Sequence, residues 1–440
     1  MTEDRSSTAD ASTFSVVFAR WYDSVAWLLY IDLVAILVAA SLPWSTSAVS
    51  VLCVLWLLVL APTVEKRVFW RTLSRPASLL PLGLFTLAVV GTFWGDSPWP
   101  ARLHGISPVA KFLVIPFLIY HFERSHRGYW VFIAFLISCS ALLVLSWIVL
   151  FVPELTVSVT GSAGVPVKNY IDQSQEFALC MVALAPLIIG FYSQRQFALM
   201  AGCVALMLAF FTNMTFVAVA RSAFVYMPVL LILFAVIYLR RGTSAYLLMA
   251  VIIVPTLVWF TSPYLRGRIA SIATQYQDYK QNVPFSMGQR LEYWHKSIKF
   301  FAASPMFGNG TGSTKQLFER DAVGKTGLAA EVVGNPHNQT LNVAVQWGMV
   351  GVVVLYAMWL VHILLFRRVG LANWIGLIVV IQNFVSSLFN SHLFDFVEGW
   401  IYVLGVGVAG GMVFEVRQRE SAKAHAQISA ADFEDGDGSR

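Results

Sequence analysis

Residues 334–365 read GNPHNQTLNVAVQWGMVGVVVLYAMWLVHILL. A polar turn carrying Asn335, Pro336, His337 and Asn338 runs straight into residues 339–365, an apolar stretch without Asp, Glu, Lys or Arg. About 20 apolar residues suffice for a helix to cross a bilayer, so 339–365 reads as a membrane helix and the turn as its interfacial end. Backbone in lipid must satisfy its own hydrogen bonds, which leaves helices or closed barrels. The ten-residue alternation of barrel strands is absent. The expected fold is an all-α integral membrane protein.

The same pattern recurs through the whole chain. Its 440 residues are 58% hydrophobic and 12% charged, where soluble domains run near 25% charged, and mean hydropathy is +0.68. Apolar spans fall at 25–42, 47–62, 78–94, 107–121, 130–152, 176–192, 197–213, 222–239, 244–262, 339–365, 371–390 and 396–414, about twelve transmembrane helices in all. A long polar interval, 263–338, separates the ninth from the tenth, and a second, Pro153 to Gln175, separates the fifth from the sixth. The chain thus divides into an N-terminus (1–24), helices one to nine (25–262), the long, partly helical loop (263–338), helices ten to twelve (339–414) and a tail (415–440) expected to be disordered.

Lys and Arg in short loops set orientation. One set of loops holds seventeen of them, the opposite set only Arg102, Lys168 and Arg221. Both termini are therefore expected in the cytoplasm and the 263–338 loop outside. The N-terminus lacks a basic region followed by an apolar one, so no cleaved signal peptide is expected. The net charge of +6 is scattered over loops, with no basic helix or stacking platform for nucleic acid. Cys53, Cys139, Cys180 and Cys203 fall in apolar runs without a CxxC pair and read as small core residues. No metal site is expected. Asp435-Gly436-Asp437 matches a metal-binding DxD formally but lies in the tail.

The long loop holds nine basic and five acidic side chains, near +4, which suits an anionic substrate. Asn335 reads as an N-cap with Pro336 at the first helical position. His337 then lies in a helix's first turn, where the dipole favours a neutral ring able to act as general base. The bland alternative is an interfacial cap whose His sits among headgroups. Gly288-Gln289-Arg290 opens an amphipathic helix with Leu291, Trp294, Ile298 and Phe301 on one stripe. Arg290 either reaches a phosphate or snorkels to lipid. Arg221, between two apolar spans, needs a partner or water. Pro305 to Ser313 is glycine-rich, but it matches no phosphate loop and reads as a tight turn. Asp32 reads as a structural pairing residue within its span.

From about Phe197 to His362 the chain resembles the O-antigen ligase family, within the O-antigen ligase/polymerase superfamily of membrane glycosyltransferases. The resemblance rests on the Arg221 turn, the large loop with Gly288-Gln289-Arg290 and Trp294, the Pro305–Gly312 turn and Pro336-His337-Asn338. It implies transfer of a glycan from undecaprenyl diphosphate to a lipid A–core oligosaccharide, on the periplasmic face of the bacterial inner membrane, with no cofactor, metal or ATP. It implies that His337 is catalytic and that Arg221 and Arg290 handle the diphosphate. Asn338, Trp294, Lys168 and Asp395 complete the expected cavity. An O-antigen polymerase or a protein O-oligosaccharyltransferase of the same superfamily, or a lipid-linked glycan transporter, would share much of this pattern.

Overall fold

The computed structural model describes residues 24–158, 161–218, 220–240 and 286–437, with 242–243, 249, 260 and 266–267 between them. Regular structure among these residues is helical throughout. The first half comprises α1 (Val25–Ser41), α2 (Thr46–Leu60), α3 (Lys66–Leu73), α4 (Pro76–Val90), α5 (Trp99–Ala110), α6 (Val114–Phe122), α7 (Gly128–Phe151), α8 (Tyr170–Ser193), α9 (Phe197–Phe216) and α10 (Ala223–Tyr238). The long loop contributes α11 (Ser286–Ala303) and α12 (Thr314–Ala322), and the chain closes with α13 (Gln339–Leu365), α14 (Leu371–Ser386) and α15 (Phe396–Asp437).

A helix stands at every expected span except 244–262, which lies outside the described residues apart from 249 and 260. Not all are full-length spans. Seven stretches are long and apolar enough to cross a membrane, and α3–α4, bent by 79°, makes an eighth. Helices α1, α10 and α14 are apolar but shorter. Among the described residues these stretches fall short of the expected count of about twelve, and the span expected at 244–262 lies largely outside them. α14 is short for a visible reason: beyond Ser386 the chain leaves the helix, and Ser387, Ser391, His392 and Leu393 are buried. Irregular backbone at such a position is tolerated where protein covers it.

α15 is the hub. Over Phe396–Ala424 its best membrane window is 94% buried. Small residues allow this. A Cβ on Gly407 would lie 2.5 Å from Leu118 Cβ, and one on Gly411 would lie 2.7 Å from Phe122 Cβ. Glycines four apart thus form the close face against α6, the small-xxx-small solution for helices that gain little from hydrophobicity in lipid. The helix runs on through Asp437, so the expectation of a disordered tail from 415 is corrected to a helix as far as Asp437. At the same end of the bundle, where His126 meets Glu415 of α15 at 3.1 Å, Asp32 pairs with the neighbouring helix. It lies 2.7 Å from His121 Nε2, accepts from Ser125 Oγ at 2.7 Å and from Arg127 at 3.3 Å, so a buried carboxylate is fully engaged, as burial demands.

The glycine-rich turn does more than reverse the chain. α13 is broken at Gly348, which has φ +62°, and the turn plugs the break. The N–H groups of Asn309 and Gly310 donate to the Val345 and Gln346 carbonyls at 2.9 Å, and that of Met349 donates to the Pro305 carbonyl at 2.8 Å. A Cβ on Gly348 would meet the Met306 carbonyl carbon at 2.5 Å. Gly348→Ala is therefore expected to cost about 2 kcal/mol from left-handed backbone strain and the forced separation together. A lower melting temperature in detergent is the measurement that checks it.

α11 turns one face inward. Tyr293, Lys296, Ser297 and Phe300 are buried, while Ile298 is 55% exposed. Tyr293 and Phe300 pack with Phe318 and Val345, with Trp294 partly buried against them, while Ile298 faces out. α11 lies on α13 and α12, whose apolar residues select the inward face. The loop's charges are mostly spent locally: Asp321 gathers Lys299 at 2.8 Å, Lys325 at 2.7 Å and Lys296 at 3.7 Å, and Arg320 pairs with Asp96 at 3.6 Å.

Candidate active site

The turn before α13 is built differently from the sequence expectation. Asn338, not Asn335, caps the helix, accepting from Leu341 N at 3.0 Å while its amide donates to the Leu388 carbonyl at 2.9 Å. Asn335 Oδ1 instead accepts from the His337 N–H at 2.9 Å and from Ser391 Oγ at 2.7 Å. This closes an Asx turn over Pro336. His337 takes φ +54°, a left-handed conformation a helix cannot hold. The expected place of His337 in the first helical turn is thus corrected to the residue before the cap. Strained backbone of this kind persists only where its surroundings over-determine it, and here they do.

The imidazole is still held toward neutrality, chiefly by a cause other than the helix dipole. Burial lowers the His337 pKa below its ordinary value; Asn390 opposes this, Arg290 adds to it, Asp395 opposes it and His392 adds to it. His337 Nδ1 lies 2.7 Å from Asn390 Oδ1, and Asn390 Nδ2 donates to Asp395 Oδ2 at 2.9 Å. The Tyr293 ring stacks near the imidazole, 6.1 Å between centroids at 30°. Its hydroxyl donates to Glu331, which also accepts from Gln289 Nε2 at 2.7 Å.

Arg290 projects from the first turns of α11. Burial lowers its pKa; Tyr170, at the start of α8, opposes this and Arg221 reinforces it. The two arginines therefore share one electrostatic neighbourhood, and Arg290 also acts on His337. Tyr170 comes from the Pro153–Gln175 segment, which thus contributes to the same electrostatic neighbourhood as the long loop.

Behind Asp395 lies a buried polar cluster. His392 Nδ1 is 3.3 Å from Asp395 Oδ2 and 3.5 Å from Glu398 Oε1. Gln175 Nε2 donates to Glu398 at 3.3 Å, and Lys111, in the Trp99–Phe122 span, donates to the Phe394 carbonyl at 3.1 Å and to the Asp395 carbonyl. His392, Asp395 and Glu398 bring their donor atoms within 4.8 Å of one another, the one grouping of ligand type and spacing for a cation among the described residues. The Lys111 ammonium acts on both carboxylates and already supplies positive charge there, which a divalent ion would have to displace.

Of the residues expected from sequence, Arg221, Arg290, His337 and Asp395 converge. Lys168 does not join them directly; its ammonium donates to the Leu42 carbonyl and acts on Asp172 and Glu176 of α8. Asn338 is committed to capping. Trp294 is half-buried beside the Tyr293–Phe300–Phe318 cluster. Asn390, Tyr293, Tyr170 and Lys111 were missed, because single polar residues in or beside apolar spans carry no spacing signal.

Residues 206–356 match the family model described as O-antigen ligase. No curated protein matches the chain.

Proposed function

We propose that this membrane protein, whose residues 206–356 match the O-antigen ligase family model, transfers a glycan from undecaprenyl diphosphate to a hydroxyl of a lipid A–core oligosaccharide, on the periplasmic face of the inner membrane. What supports the reading is the shared electrostatic neighbourhood of Arg290, Arg221 and a half-buried His337 whose Nδ1 is held 2.7 Å from Asn390. A glycosyl diphosphate already contains a good leaving group. What remains is to activate an acceptor hydroxyl and to stabilise the departing charge. A neutral imidazole does the first, and guanidinium forks do the second by bidentate hydrogen bonds to phosphate. The acceptor oxygen attacks the anomeric carbon in line as the bond to the diphosphate oxygen breaks, which inverts that centre. His337 takes the acceptor's proton, and the bonding electrons leave on the diphosphate between Arg221 and Arg290. In this reading the arginines carry the charge that a divalent cation carries in other glycosyltransferases.

Lipopolysaccharide from a deletion strain tests the proposal. Loss of all O-antigen, with lipid-linked polymer accumulating, is expected. A single repeat unit left on the core would assign the chain to the polymerases instead. Unchanged lipopolysaccharide with lost protein glycosylation would assign it to the protein oligosaccharyltransferases. Transfer by purified protein in detergent, with no membrane to cross, separates all of these from a transporter.

A further inference from the structure

We propose that Asn390 is a positioning residue: its amide, held in one orientation by Asp395, keeps the hydrogen of neutral His337 on Nδ1 and leaves Nε2 as the atom that takes the acceptor's proton. This rests on the reading of His337 as the base and specifies which of its atoms acts.

The argument is one of donors and acceptors. A carboxylate only accepts hydrogen bonds. The end of the Asn390 amide that faces Asp395 Oδ2 at 2.9 Å is therefore its NH₂. Its carbonyl oxygen then faces His337 Nδ1 at 2.7 Å, and a carbonyl oxygen also only accepts, so Nδ1 carries the hydrogen. A neutral imidazole has one ring hydrogen, and Nε2 is left with a bare lone pair. Flipping the amide would set its oxygen against the Asp395 carboxylate, two acceptors at hydrogen-bond distance, and would turn the NH₂ on Nδ1. That arrangement demands the other tautomer, with Nε2 protonated and useless as a base. Asp395 thus acts on the reaction through Asn390 rather than by touching the imidazole.

The same segment pins the backbone of His337. Asn335 Oδ1, which accepts the His337 N–H, is itself held by Ser391 Oγ, and Ser391 Oγ accepts from Asn342 Nδ2 of α13 at 3.1 Å. Residues 387–395 therefore fix both the ring hydrogen and the ring position. When Nε2 takes the acceptor's proton, the imidazolium keeps its Nδ1–H on Asn390 Oδ1. The amide accepts no proton, and the charge is discharged from Nε2 to water or to the released diphosphate. A neutral amide does this without the strong rise in basicity that a directly paired carboxylate would bring. The charged and titratable groups facing His337 are Arg290 and Tyr293 from α11 and His392 and Asp395 from the 387–395 segment.

Two measurements test this. In purified protein labelled with ¹⁵N-histidine, the His337 resonance is identified by its loss in His337→Gln. Its neutral form is expected to be protonated on Nδ1; protonation on Nε2 would overturn the proposal with no change made at 390. In kinetics, Asn390→Leu is expected to lower kcat by about 10²-fold or more, with donor KM within about threefold. Asn390→Asp still accepts from Nδ1–H while sharing one proton with Asp395 on its other oxygen, so kcat should recover to within about tenfold of wild type. A kcat for Asn390→Leu close to wild type, a loss confined to KM, or an Asn390→Asp no better than Asn390→Leu would each sink the idea. Activity retained in His337→Gln would instead remove the base reading, and the tautomer result would stand by itself.

Discussion

His337→Gln lowers kcat for glycan transfer by about 10²–10⁴-fold, the contribution typical of a positioned general base, while expression, membrane insertion and donor binding stay near wild type. The acceptor hydroxyl is a poor nucleophile until its proton is drawn away. Gln can keep a hydrogen bond at this position but cannot take that proton. His337→Arg or His337→Lys fails as well, because a cation has no lone pair to offer. Acid inhibits the wild type in a defined direction. Burial places the His337 pKa below its ordinary value of 6.5, so the ring is neutral at pH 7 and transfer falls only as pH drops through that lowered pKa. The residual rate of His337→Gln lacks this limb. If His337 merely donated a hydrogen bond to phosphate, Gln would retain much of the activity and acid would not inhibit. Kinetics of the purified protein from pH 5 to 8, with wild type alongside, decide between the two. Near-normal transfer by His337→Gln would falsify the base assignment.

Arg290→Ala and Arg221→Ala each lower kcat by about 10²–10³-fold, the range seen when one preorganised charge-stabilising donor is removed. Lys at either position restores part of the loss, since the charge returns without the planar fork. The two sites should not act additively. Arg221 lowers the pKa of Arg290, so the guanidinia repel one another in the empty site and both gain when an anion sits between them. The double Ala variant is therefore expected to lose less than the product of the single losses, as interacting pairs do. Transfer should persist in EDTA. Turnover of lipid-linked donor by purified single and double variants checks the set; if both single Ala variants turn over donor like wild type, the diphosphate assignment is wrong.

Some of this protein could be read from its residues one at a time. Hydropathy records which segments lipid or neighbouring helices must cover, and that requirement is local to each segment, so the helices at the expected spans follow from it. His337, Arg290 and Arg221 stood out as candidates too, because charged or titratable side chains beside apolar spans need a reason to be there. Tertiary structure decided what depends on partners far along the chain. The cap passed from Asn335 to Asn338 because Ser391, 56 residues on, claims Asn335 Oδ1. That Tyr293 and Phe300 of α11 turn inward was decided by Phe318 and Val345, which lie on other helices. The break in α13 needs both Gly348 and the turn that fills it. Asn390 acquires meaning only when His337, 53 residues away, is brought to 2.7 Å. Periodicity reports burial, which each helix satisfies along its own length; a hydrogen bond across that separation belongs to two segments at once and exists only after both have been packed.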